Sequence, residues 1–108
     1  MTCNSFNEKV WNSTKKIPEG KISTYKLIAE KLGVKSYRAV GRALRCNPYS
    51  PAVPCHRIVK SDGSIGGFKG SSNPNSKEIK EKIKLLEKEG IRIKNNIIVD
   101  FENVVFRF

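Results

Sequence analysis

Two short helical segments on either side of a three-residue turn do most to limit how this chain can fold. In "STYKLIAEKLG", Ser23 or Thr24 is a natural N-cap, Ile28 and Leu32 lie one turn apart, and Gly33 is the stop. In "SYRAVGRALRCNP", Ser36 is the cap, Val40 and Leu44 face inward, and Asn47-Pro48 ends the helix. Such a pair with a Gly-containing turn has helix-turn-helix form. The second helix carries Arg38, Arg42 and Arg45, set among the small residues Ala39, Gly41 and Ala43. Small residues permit close approach to a surface, and interspersed arginines suit phosphate or base contact. The same small residues would equally let the helix pack tightly on its neighbour, and the pattern alone leaves both uses open.

The flanking sequence predicts a small, mainly α domain of the α+β class, winged-helix-like, as one unit over 1–108. Ser5 with Glu8 three residues on is a capping-box pattern, and Phe6, Val10 and Trp11 share one side of a helix over about 5–16. "PEGK" breaks it. From Asn47 to Lys60 the chain is punctuated by prolines and is expected to be largely extended. "SDGS" reads as a turn and "GGFKGSSNPNS" as a flexible loop over 66–76. "SKEIKEKIKLLEKEG" predicts an amphipathic helix with Ser76 as cap, Ile79, Ile83 and Leu86 inward and Gly90 as stop; its lysines and glutamates are expected to be mostly a solvated face. The β-branched tail predicts a hairpin turning near Asn95-Asn96.

Charge is unevenly spread. Residues 1–60 hold twelve Lys/Arg and three acids, net +9, whereas residues 61–108 hold nine and seven, net +2. A polyanion partner follows, nucleic acid before membrane, because no strongly amphipathic basic helix is evident. No apolar run approaches the ~18 to 20 residues of a bilayer span, and the start "MTCNSFNEKV" lacks a secretory pattern. An odd count of three cysteines without regular spacing predicts a reducing, cytoplasmic setting. Cys3, Cys46, Cys55 and His56 lack metal-ligand spacing, so no metal and no cofactor is expected.

"PAVPCHRIVK" sets Cys55 against His56, the chain's single histidine. Adjacent side chains diverge in a strand and around a helix, so a direct Cys–His dyad is awkward. A buried structural cysteine is one reading. The other is a thiol held in a fixed direction by Pro54 and served by His56 through a turn or a water, with a third group orienting the imidazole.

Several segments, in order and spacing, carry a resemblance: the "FNEKVW" helix, "GKISTY", "RAVG" followed by "NP", "PCHRIV", the glycine loop and "LLEKEG". Over about residues 6–90 the chain resembles the C-terminal domain of the O6-alkylguanine-DNA alkyltransferases. These proteins move an alkyl group from guanine onto a cysteine of their own and are consumed in doing so. The resemblance implies that Cys55 is the acceptor, that His56 takes its proton through a water, and that Glu89 orients and charges His56. It implies that Asn47 braces the turn before the cysteine and that Tyr25 donates to the departing guanine. The main chain at Cys55 and Ile58 would accept from the guanine amine, and the amide of Lys69 would approach the modified oxygen. Arg38 would fill the stack left by a flipped base, with Ala39, Gly41 and Arg45 on the DNA side. The implied partner is double-stranded DNA bearing O6-alkylguanine, bound in the minor groove by a monomer with weak sequence preference.

The chain also departs from the pattern. Phe68 stands where tyrosine is common and Lys69 where serine is common, which bears on the adducts that fit. With nothing before the Phe6 helix, a minimal form without the usual N-terminal domain is expected. Short length also resembles the alkyltransferase-like proteins, which bind the lesion without repairing it and typically have tryptophan or alanine at the cysteine position. The presence of Cys55, His56, Glu89 and Tyr25 favours transfer.

Overall fold

The computed structural model describes residues 5–46, 53–68, 73 and 75–108. Three helices come first: α1 (Ser5–Lys15), α2 (Tyr25–Leu32) and α3 (Tyr37–Arg45). Their ends lie where the local chemistry puts them. The Thr24 hydroxyl accepts from the amide of Leu27 at 3.0 Å, and Ser36 from that of Ala39 at 3.1 Å. Gly33 ends α2 with φ +71°, a left-handed conformation that costs glycine little. The Ser5 side chain and Asn47 lie outside the described residues.

The apolar faces of the three helices close on one another. Val10, Trp11, Ile28, Ala29, Val40 and Ala43 are buried together, and the Trp11 indole donates to the Ala43 carbonyl at 2.8 Å. That bond locks α1 to α3 and fixes how α3 is presented. A second cluster lies under α4 (Lys77–Lys88) and gathers Val59, Ile65, Phe68, Ile79, Leu86 and Ile98. Between the clusters runs a two-residue parallel ladder of β1 (Ser23–Thr24) and β2 (Ile58–Val59), with Ser23 opposite Ile58 and Thr24 opposite Val59. Ile58 points into the first cluster and Val59 into the second, as alternation along a strand requires.

Three expectations are corrected. The segment before β2 is not simply extended, because Cys55–Arg57 forms one 3-10 turn, with the Ile58 amide donating to the Cys55 carbonyl. The tail is more than a hairpin. The strands β3 (Ile93–Lys94) and β4 (Ile97–Ile98) do turn at Asn95-Asn96, both with positive φ, 52° and 61°. A short helix α5 (Phe101–Val104) follows, and the chain then returns beside β1, where Ile22 bonds Val104 and Phe106. Finally, the face of α4 that turns inward is Ile79, Lys82 and Leu86, with Ile83 only half-buried. Lys82 is therefore interior rather than solvated.

Replacing Thr24 by alanine is expected to lower the unfolding free energy by about 1 kcal/mol, read from urea denaturation. An unchanged midpoint would show that the cap does not hold the start of α2.

Candidate active site

The parallel ladder sets Tyr25 and Cys55 near one another. Tyr25 follows β1 at the first position of α2, and Cys55 opens the turn that leads into β2. Cys55 is half-buried and packs against both apolar clusters, so it sits on their seam. Above it opens a cleft of about 730 Å³ whose walls include Tyr25, Arg38, Arg45, Gly67 and Phe68. Phe68 is 5% exposed and belongs mainly to the second cluster, with only an edge on the cleft.

The 3-10 turn swings His56 away from the cleft side of Cys55 and into the interior, where it is 5% exposed. Its Nε2 lies 2.9 Å from Oε2 of Glu89, the residue that caps the C-terminus of α4. A carboxylate only accepts, so Nε2 carries the proton and donates. Arg57 grips the same carboxylate through two parallel bonds, Nε to Oε1 at 2.9 Å and Nη2 to Oε2 at 2.8 Å. Its Nη1 donates to the Ile17 carbonyl at 2.8 Å, tying the turn to the end of α1. Burial pushes the Glu89 carboxyl up, but the hydrogen bonds and charges of Arg57 and His56 outweigh it and hold it below the usual carboxylate range.

Tyr25 lies between two glycines. A Cβ on Gly41 would be 3.9 Å from its ring, and one on Gly66 would be 3.5 Å from its hydroxyl oxygen. Gly66 also has φ +74°, so both space and backbone favour glycine there. Burial, and then Cys55 whenever it is ionised, push the Tyr25 hydroxyl up to about 12. It therefore remains a donor at neutral pH.

Lys82 is fully buried, and its Nζ donates to the carbonyls of Ile58 at 2.6 Å, Ile65 at 2.7 Å and Gly67 at 3.0 Å. Three acceptors use all three N–H bonds of an ammonium, one more than a neutral amine offers. Burial pulls its pKa down to about 7, with Cys55, whenever it is ionised, acting the other way. Ile58 keeps a second lone pair on the carbonyl that Lys82 engages.

The structure thus brings Tyr25, Arg38, Gly41, Arg45, Cys55 and Phe68 to one cleft, and joins His56 to Glu89 behind it. Ala39 lies half-buried on α3, beside Arg38. Ile58 is fully buried outside the lining of the cleft, and its carbonyl accepts from Lys82. Asn47 and Lys69 lie outside the described residues. The sequence reading gave no role to Arg57 or Lys82. Arg57 adjoins His56, and Lys82 lies three residues after Ile79 and four before Leu86, a spacing that marks the buried side of a helix.

Comparison with known proteins gives a consistent answer. Residues 5–91 match the sequence model of a family described as 6-O-methylguanine DNA methyltransferase, DNA binding domain. A methylated-DNA–protein-cysteine methyltransferase of Sulfolobus acidocaldarius is 47% identical over 90 residues, covering 83% of this chain and 52% of that protein. The protein of the same name from Candida glabrata is 39% identical over 92 residues, covering 84% and 41%. The chain therefore spans about half the length of the curated relatives it matches. Among solved structures, S. pombe Atl1 in complex with damaged DNA containing O6-carboxymethylguanine superposes with a TM-score of 0.82 at 27% identity, covering 100% of both chains. Mycobacterium tuberculosis OGT in complex with DNA gives 0.72 at 34% identity, covering 82% of this chain and 51% of that one.

Because its Lys82 is half-titrated near pH 7 when folded but near the ordinary lysine value when unfolded, the native chain binds fewer protons across that interval. Its contribution therefore makes stability rise with pH there, by up to about 1.4 kcal/mol per pH unit, and is flat below it. Urea denaturation across pH is expected to show this slope in the wild type and not in Lys82→Met. The same slope in both would contradict the assignment.

Proposed function

Because the chain belongs to the 6-O-methylguanine DNA methyltransferase family, we propose that it repairs DNA by moving an alkyl group from O6 of guanine to Cys55. The observation that carries this reading is the hydrogen-bonded pair of His56 and Glu89 behind a half-buried cysteine at the floor of a basic cleft. With Nε2–H given to Glu89, the ring's basic nitrogen is Nδ1. It takes the thiol proton through a bridging water, which removes the geometric objection to a direct dyad. The imidazolium is stabilised by the ionised Glu89, which Arg57 holds in place. The thiolate then attacks the alkyl carbon in line, the S–C bond forms as the C–O6 bond breaks, and the electron pair passes to the guanine. Tyr25 donates to the base as that charge develops, a contribution of the kind worth ~2.7 to 4 kcal/mol at other sites.

DNA reaches this cleft across α3. Arg38, Arg42 and Arg45 are exposed on it, Ser36 caps its start, and Tyr37 is 49% exposed beside Arg38. Arg38 enters the stack as the lesion base flips into the cleft, a step that costs a few kcal/mol. Ala39 and Gly41 keep the helix surface low enough for the minor groove. Binding rests on phosphates and depends on salt, with little sequence preference. The carbonyls of Cys55 and Ile58 receive the guanine amine, Phe68 borders the adduct, Lys69 offers its amide to O6, and Asn47 braces the approach. The thioether is stable and no group here removes it, so each molecule acts once.

A second reading comes from the likeness to Atl1 over the full length of both chains. In it the protein holds the lesion and marks it for other repair without transfer. The two differ in one readout. After incubation with a duplex containing O6-methylguanine, transfer predicts an intact-mass gain of one methyl group, lost in Cys55→Ser while DNA binding remains. Tight binding with unchanged mass would favour lesion marking, and a gain that survives in Cys55→Ser would move the acceptor to another cysteine.

A further inference from the structure

Lys60 follows β2 directly and lines the cleft beside Cys55, Gly67 and Phe68. Its backbone is held in a tight turn, with its amide donating to the Ser64 carbonyl at 2.9 Å and its carbonyl accepting from Gly63 at 3.0 Å. Its side chain borders Gly66. A Cβ on Gly66 would lie 3.4 Å from Lys60 Cγ and 3.5 Å from the Tyr25 hydroxyl oxygen, so the lysine stem and the phenol both border Gly66. Among the described residues no carboxylate forms an ion pair with Lys60. Asp62, the acid that also lines the cleft, accepts from the amide and hydroxyl of Ser64 at 2.9 and 2.7 Å, and the charge of Lys60 acts on it without a direct bond. The other described cations on the cleft, Lys26, Arg38, Arg42 and Arg45, stand on α2 and α3. Lys60 instead comes from the segment that carries the nucleophile.

We propose that Lys60 is a specificity-determining residue that admits O6-substituents ending in a carboxylate, with O6-carboxymethylguanine as the simplest. This rests on the transfer reaction proposed above. When the thiolate attacks a methylene that bears a carboxylate, two negative charges converge as the S–C bond forms and the C–O6 bond breaks. The electron pair leaves with the guanine, which takes up a proton, while the carboxylate stays on the carbon now joined to sulfur. A cation lining the same cleft as Cys55 and Tyr25 offsets the repulsion on approach and pairs with the carboxylate of the product. An uncharged methyl group has no use for it.

The test uses the full chain and duplexes containing O6-methylguanine, O6-carboxymethylguanine or its uncharged amide, O6-carbamoylmethylguanine, with intact mass followed over time. The wild type is expected to accept both methyl and carboxymethyl groups. Lys60→Met is expected to slow carboxymethyl transfer by about tenfold or more, the scale of a lost charged hydrogen bond, while methyl and carbamoylmethyl transfer stay within about twofold. Lys60→Arg is expected to restore the rate. Methyl transfer without carboxymethyl transfer in the wild type would overturn the inference alone, as would equal slowing of all three adducts in Lys60→Met. Absence of any transfer would overturn the reaction on which it rests.

Discussion

The site is assembled around a buried lysine amine. Taking a lysine out of water costs several kcal/mol unless every donor finds a partner. Lys82 meets that condition through the carbonyls of Ile58, Ile65 and Gly67. These belong to β2 and to the loop after it, so one side chain of α4 fixes the strand that leaves the cysteine turn and the residues on either side of Gly66, which faces Tyr25. Seven residues later the same helix offers Glu89 to His56 and Arg57. Two turns of helix separate the attachments, which places them on one side. Movement of α4 would therefore disturb the strand, the loop and the imidazole together.

Much of this was legible beforehand because it rests on local chemistry. Caps at Thr24, Ser36 and Ser76, stops at Gly33 and Gly90, and the turn at Asn95-Asn96 are choices that neighbouring residues settle among themselves. The parts that were not legible depend on distant partners. A two-residue ladder between Ser23–Thr24 and Ile58–Val59 leaves almost no periodic trace in either segment. The 3-10 turn at Cys55–Arg57 is stabilised by what it delivers, the His56 and Arg57 bonds to a residue more than thirty positions away. Lys82 was misread because composition assigns lysine to solvent, although its spacing from Ile79 and Leu86 placed it inside. Spacing outweighed residue type there, since three carbonyls awaited the charge.

The same geometry alters how the adjacency of Cys55 and His56 is understood. They are neighbours in sequence, yet the turn directs one toward the cleft and the other toward the interior. Adjacency then serves to put a thiol and its proton acceptor on opposite sides of one turn, with a carboxylate charging the histidine from behind. Arg57 completes that arrangement by holding both carboxylate oxygens and a carbonyl of the first helical layer. Small residues on α3 have two uses at once: Gly41 passes close to the Tyr25 ring, and the low helix surface suits a groove.

The central claim is that Glu89, acting through His56, activates Cys55. It is tested most directly by the single-turnover rate of methyl transfer in Glu89→Gln, measured alongside affinity for the same lesion-bearing duplex. The account predicts a rate lower by about tenfold or more with affinity little changed. An unchanged rate, or a loss of affinity that accounts for the whole effect, would contradict it.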